Sequence, residues 1–201
     1  MRNKQGYIKE HKDRAENDFY ATPPEEVKNI LQYEKLHGVI LDNCCGKGHL
    51  IEPVVEEYPD HKIIATDLIN RGYGEGGLNF LSPDYPYIND IDTIIMNPPY
   101  GLITEFVVKS LKIAKKKVVL FAQLQFLESQ GRYKEIFSKN KPDRIYIYVD
   151  RIACAKDGNF DNAHSSSMTY SWIIWDKVNH EHGFNWIRRA DKSNIKKLKL
   201  F

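Results

Sequence analysis

The sequence predicts an α/β domain: a mostly parallel seven-stranded sheet with an antiparallel last strand and helices on both faces. Three observations predict it. Short β-branched runs alternate with longer helix-like segments through the middle of the chain. Turn residues close two of these runs abruptly, Gly46-Lys-Gly after the first and Pro98-Pro99 after a later one. The last two runs are joined by a polar loop, Lys156-Asp-Gly-Asn-Phe-Asp-Asn-Ala-His-Ser-Ser-Ser, with no helical segment. They are therefore expected to form an antiparallel pair at the edge of the sheet.

In chain order, strands are expected at residues 39–43, 62–67, 92–96, 118–122, 144–149 and 170–175, with a weaker one near 77–81. Helices are expected at 24–33, 49–58, 103–115 and 129–139. The first opens with Pro24 and carries Glu25 and Glu26 near its positive end. The third ends in Lys115-Lys-Lys, which complements the negative end of its dipole. Trp172 and Trp175 lie three apart on a strand, so they face opposite sides and read as packing residues. A catalytic domain over 17–178 is expected between a basic arm (1–16) and a short basic tail (179–201).

A chain of 201 residues that is 42% hydrophobic and 28% charged has the balance of a soluble globular domain. No run approaches the roughly 20 apolar residues that a membrane span needs. The charged start, Met1-Arg-Asn-Lys-Gln, has no apolar stretch behind it, so no secretory signal is read. Three cysteines, two of them adjacent, suit a reducing compartment, and a cytoplasmic location is expected. The net charge of +2 excludes little. Its distribution permits a polyanionic partner: Arg2, Lys4, Lys9, Lys12 and Arg14 gather at one end, Arg188, Arg189, Lys192, Lys196, Lys197 and Lys199 at the other.

Leu41-Asp-Asn-Cys-Cys-Gly-Lys-Gly-His leaves the first strand and opens a helix. Gly46 and Gly48 let the backbone turn sharply and approach a ligand. A dinucleotide fingerprint wants a third small residue where this chain has Ile51. S-adenosylmethionine has no pyrophosphate and needs no such tight helix approach, so the turn favours that cofactor. Asp67, at the end of the second strand and followed by Leu68, is placed to accept both ribose hydroxyls. Asp42 is a candidate acceptor for the amino group of the methionine end. Cys44 and Cys45 lack zinc-site spacing, so no metal is expected, and Cys154 has no activating neighbour in sequence.

Asp92-Thr-Ile-Ile-Met-Asn-Pro-Pro-Tyr-Gly reads as a buried strand that stops at Asn97. Ligands bind at such carboxyl ends in open α/β sheets. The turn offers an amide oxygen from Asn97, a carbonyl from Pro98 and an aromatic face from Tyr100. An exocyclic ring amine is a poor nucleophile because its lone pair is delocalised. Two acceptors taking both N–H hydrogens would localise that pair and stabilise the charge that develops on nitrogen. Tyr100 would stack on an extruded base, contributing roughly 1–3 kcal/mol.

These stretches resemble the adenine-N6 DNA methyltransferases, specifically small phage and prophage enzymes of the Rossmann-like S-adenosylmethionine-dependent class. Asp18-Phe-Tyr-Ala-Thr-Pro-Pro is similar to their amino-terminal motif, which implies that Phe19, Tyr20 and Thr22 approach the methionine end. Leu41–Gly48 resembles their glycine motif, Asn97-Pro-Pro-Tyr their catalytic tetrapeptide, and Ser171-Trp-Ile-Ile-Trp-Asp their late strand. The resemblance spans about residues 17–177 and implies DNA as partner. Two departures stand out. Leu78-Asn-Phe-Leu puts Asn79 where the family often has an acid for the cofactor adenine. A separate target-recognition region is also missing, so the loop from Arg151 to Ser167, with Pro99, Lys156 and His164 as candidate substrate contacts, the basic ends, a partner or a dimer would supply recognition. The tetrapeptide also occurs in enzymes acting on ribosomal RNA bases or a protein glutamine amide. A catalytically silent binding module is a further alternative.

Overall fold

The computed structural model describes residues 19–162 and 167–190. Its strands are β1 (Tyr20–Ala21), β2 (Ile40–Asp42), β3 (Ile63–Ala65), β4 (Thr93–Met96), β5 (Lys117–Gln123), β6 (Arg144–Tyr148), β7 (Ala155–Lys156), β8 (Tyr170–Asp176) and β9 (Gly183–Ile187). The helices are α1 (Pro24–Ile30), α2 (Glu52–Glu57), α3 (Ile103–Ile113) and the short α4 (Gln130–Arg132). Seven strands form one sheet in the order β3-β2-β4-β5-β8-β6-β9. β8 runs antiparallel to both neighbours, β5 and β6, while the other pairings are parallel.

The central strands are apolar on both faces because both faces are covered. Every residue of β4 and β8 is buried. On one face, Ile95, Val119, Phe121 and Trp172 pack with Val27 and Ile30 of α1 and Val54 of α2. On the other, Ile94, Met96, Leu120 and Trp175 pack with Phe106, Val107 and Leu111 of α3. The two tryptophans thus face opposite sides, and each indole N–H finds an acceptor, Tyr148 Oη at 2.9 Å and the Asn140 carbonyl at 3.0 Å. From β2 the chain goes outward to β3, then crosses back to β4 on the other side of β2. The ends of β2 and β4 therefore border a crevice at the point where strand order reverses.

Four expectations are corrected. Residues 77–81 form no strand: Gly72, Gly74 and Gly77 all have positive φ, and the nearby chain makes just an isolated bridge, Thr66–Glu75, among the described residues. The expected tail from residue 179 instead contains β9, which pairs with β6 along its whole length and supplies the seventh strand. The β6–β8 pair is antiparallel as expected, but β8 lies inside the sheet and β9 forms the edge. The helix expected over 129–139 is one α-turn that widens into a π-turn over Tyr133–Phe137. The basic arm, His164 and the basic residues after Ala190 lie outside the described residues.

Candidate active-site pocket

β4 stops at Met96 because Pro98 and Pro99 have no N–H to extend a ladder. The chain then makes a 3-10 turn, Tyr100–Leu102, and enters α3. Asn97 stands between strand and turn. Its Nδ2 donates to the Tyr20 carbonyl at 3.0 Å and to Thr22 Oγ1 at 2.9 Å. A carbonyl only accepts, so the amide NH2 must face β1, and Oδ1 is left as the outward acceptor. β1 is itself held: it pairs antiparallel with β7, Tyr20 opposite Lys156, and Asp157 N–H donates to the Phe19 carbonyl at 2.8 Å. The amino-terminal motif was expected to face the cofactor. Phe19 and Tyr20 line the pocket, whereas Thr22 lies buried against Asn97 and accepts a hydrogen bond from its amide.

The glycine turn after β2 is tied to the end of β3. Gly46 N–H donates to Asp67 Oδ2 at 2.8 Å, and Asp67 Oδ1 accepts from Ile69 N–H at 2.8 Å. Each carboxylate oxygen keeps a second lone pair. Gly46 has φ of 58°, and a Cβ there would stand 2.1 Å from the Phe19 ring, so both backbone freedom and close approach require glycine. Asp42 is fully buried behind this turn. Its Oδ1 accepts from Cys44 N–H at 3.1 Å, whereas Oδ2 has no partner among the described residues. Burial, reinforced by the charge of Asp67, pushes its carboxyl up to about 8. Asn43, which no sequence motif marks as a ligand contact, lines the pocket; its Oδ1 has no partner among the described residues, while its Nδ2 donates to Ser110 Oγ at 3.3 Å.

One pocket collects most of the expected residues. Phe19, Tyr20, Asp67, Leu68, Asn79, Asn97, Pro98, Pro99 and Tyr100 all line it, as do Arg71, Leu78, Phe80 and Phe106. Asp42, Thr22, Gly46 and Gly48 are not part of this lining. Lys156 is exposed on β7 and is not part of the lining. Asn79 is present but partly committed: its Oδ1 accepts from Leu81 N–H at 2.9 Å. Tyr100 is 38% exposed, its hydroxyl lies 3.2 Å from that of Tyr170, and the Tyr20 ring stands 6.4 Å away at 30°. Burial drives the Tyr100 phenol well upward, so it stays neutral. The thiols are likewise protonated at neutral pH: burial raises Cys44 strongly and pushes Cys154 up to about 12.

This architecture recurs among solved structures. A precorrin-6y C5,15-methyltransferase from Geobacter metallireducens superposes with a TM-score of 0.52 at 17% identity, over 76% of this chain and 87% of that one. A protein described as a predicted O-methyltransferase, from Agrobacterium tumefaciens, also gives 0.52, at 13% identity over 84% and 85% of the two chains. The fold is that of Rossmann-like methyltransferases. No protein-family model and no curated protein matches the chain. At such identities the likeness is one of fold. In this methyltransferase fold the pocket occupies the carboxyl ends of β2, β3 and β4, where open parallel sheets place their ligands.

Proposed function

We propose that this chain transfers a methyl group from S-adenosylmethionine to the exocyclic N6 of adenine in DNA. The observation that carries the reading is the locked amide of Asn97, whose NH2 is held by Tyr20 and Thr22 so that Oδ1 faces outward beside Pro98 and Tyr100. The pocket's polar groups fit the cofactor. Asp67 offers lone pairs for ribose hydroxyls, Asn43 Oδ1 is an acceptor without a partner among the described residues, and Leu78 and Phe80 offer apolar cover for a purine. When bound, the cofactor supplies an electrophilic methyl group on a sulfonium.

The chain's residues act on the other reactant. Asn97 Oδ1 and the Pro98 carbonyl take the two N–H hydrogens of the target amine, localising its lone pair and aiming it across the pocket. The same oxygens stabilise positive charge as it develops on nitrogen. The half-exposed ring of Tyr100 offers a stacking face to the extruded base. The amino-terminal Phe19-Tyr-Ala-Thr resemblance favours DNA over RNA or protein. Target recognition then falls to the loop from Arg151, to Lys156 opposite Tyr20 in the ribbon, or to a second subunit.

The test is transfer of labelled methyl to unmethylated DNA, RNA and protein, followed by nucleoside analysis. The expected product is N6-methyladenine in DNA, and Asn97→Ala should lower its rate by on the order of a hundredfold or more. Label found only in RNA or in a glutamine amide would sink the DNA assignment and keep the acceptor chemistry. Cofactor binding without any transfer would support a silent binding module.

A further inference from the structure

We propose that Arg71 binds the carboxylate at the amino-acid end of the cofactor, a role that rests on the S-adenosylmethionine reading above. Arg71 follows β3 and lines the same pocket as Asp67, Leu68 and Asn97. Its guanidinium carbon lies 5.2 Å from the centre of the Phe19 ring. That ring covers Gly46 so closely that no Cβ fits between them. Phe19 therefore bridges Arg71 and the glycine turn, and the cation lines the pocket beside that turn, where the amino-acid end would lie.

The guanidinium is held without being satisfied. The face of Phe19 attracts its charge but accepts none of its N–H bonds in the way an oxygen would. Arg71 Nε is shielded from water and has no hydrogen-bond partner among the described residues. A buried donor without an acceptor is costly, which points to a ligand that supplies one. The carboxylate is the one anionic group of S-adenosylmethionine, and its planar pair of oxygens matches the guanidinium fork. The opposite charge of that zwitterion has its own counterpart. Asp42, which precedes the same turn and lies outside the pocket lining, keeps Oδ2 without a partner among the described residues. A nucleic-acid phosphate fits less well, because the orphaned nitrogen lies within the pocket wall rather than on open surface.

Calorimetric titration of S-adenosylmethionine and its decarboxylated analogue tests this on the wild type, Arg71→Gln and Arg71→Lys, with melting curves to confirm folding. The wild type should prefer the carboxylated ligand by about ten- to a hundredfold. Arg71→Gln should abolish that preference by weakening only S-adenosylmethionine, and Arg71→Lys should restore part of it. Equal weakening of both ligands in Arg71→Gln would overturn the assignment, as would a preference that survives the substitution or is missing from the wild type. Loss of DNA affinity with cofactor affinity intact would also overturn it and give Arg71 to a phosphate. If the wild type binds neither ligand, the cofactor reading fails as well. If it binds S-adenosylmethionine but Arg71→Gln discriminates unchanged, only the Arg71 assignment falls.

Discussion

The side-chain amide of Asn97 has two donors, and both are taken inside the protein by Tyr20 and Thr22. Its orientation is therefore built in before any substrate arrives. Thr22→Val keeps the volume and removes one of the two acceptors, so the amide can rotate. Single-turnover rates should fall about tenfold, matching one hydrogen bond of roughly 1–1.5 kcal/mol, while cofactor affinity stays within about twofold. An unchanged rate would mean that the Tyr20 carbonyl alone orients the amide. Asp42 gives a pH prediction. Its carboxyl ordinarily titrates at 3.8 and is raised to about 8 by burial in the fold. Folding thus takes up a proton between those values, and the stability this side chain contributes is full below the lower value and lost as pH rises through the upper one. Asp42→Asn should be more stable than the wild type by a margin that widens from about pH 5 to pH 8 and then levels. Melting curves across that range measure it. Cofactor binding at pH 7 should also release a proton from the wild type and none from the variant, readable by calorimetry in two buffers of different ionisation heat.

At the scale of elements, the sheet separates its chemistry from its fastening. The pocket lies at the carboxyl ends of the parallel strands. At the other end, Lys117 opens β5, Arg144 opens β6 and Asp176 closes the antiparallel β8. They meet Glu34, a few residues beyond α1: Lys117 Nζ reaches Glu34 at 2.8 Å and Asp176 at 3.1 Å, Arg144 pairs with both acids, and Tyr146 donates to Glu34 at 2.9 Å. Burial pushes Glu34 upward, but hydrogen bonds from Arg144 and Lys117 leave it below its usual range. Asp176, also buried, is held to about 2 chiefly by the Asn179 N–H and Arg144. The stability these two acids contribute is present above ordinary carboxylate values and lost as pH falls toward 2. Glu34→Gln should cost about 3 kcal/mol in urea unfolding because it leaves the buried Lys117 and the partly buried Arg144 short of a partner. Methyl transfer by the folded variant should match the wild type, and a large loss of activity would show that the two ends of the sheet are coupled. None of this cluster was legible in the sequence, since its members are scattered over more than a hundred positions and meet only through strand order.

For the molecule as a whole, the seventh strand changes where the domain ends. β9 presents Phe184 and Trp186 outward and only Ile187 inward, so its apolar residues gave little sign of core packing. Its stability comes from backbone pairing with β6 and from the anchoring of residues 188–190: the Arg188 carbonyl accepts from Asn29 Nδ2 at 2.8 Å, and Arg188 pairs with Asp150. Ala190 N–H donates to the buried Glu26. Truncation after His182 should therefore destabilise the protein by at least about 2 kcal/mol, the worth of burying Ile187 alone, and leave β6 as an open edge prone to association. Chemical unfolding and light scattering check this. An unchanged transition would make β9 an ornament of the sheet rather than a part of it.

The features legible in the sequence alone are local ones. Strand runs, the glycine turn and the proline-ended strand are written in consecutive residues, because period, φ and a missing N–H act within a few bonds. Asn97, Pro98, Tyr100, Asp67 and the glycines are therefore nameable without a fold, and the pocket gathers the tetrapeptide and Asp67 with the turn directly behind them. The partnerships that orient them were not legible. Thr22 beneath Asn97, Arg71 over Phe19 and the placing of β9 join residues far apart in the chain. Such meetings depend on which strands pair with which, and strands pair through backbone groups that nearly every residue carries alike.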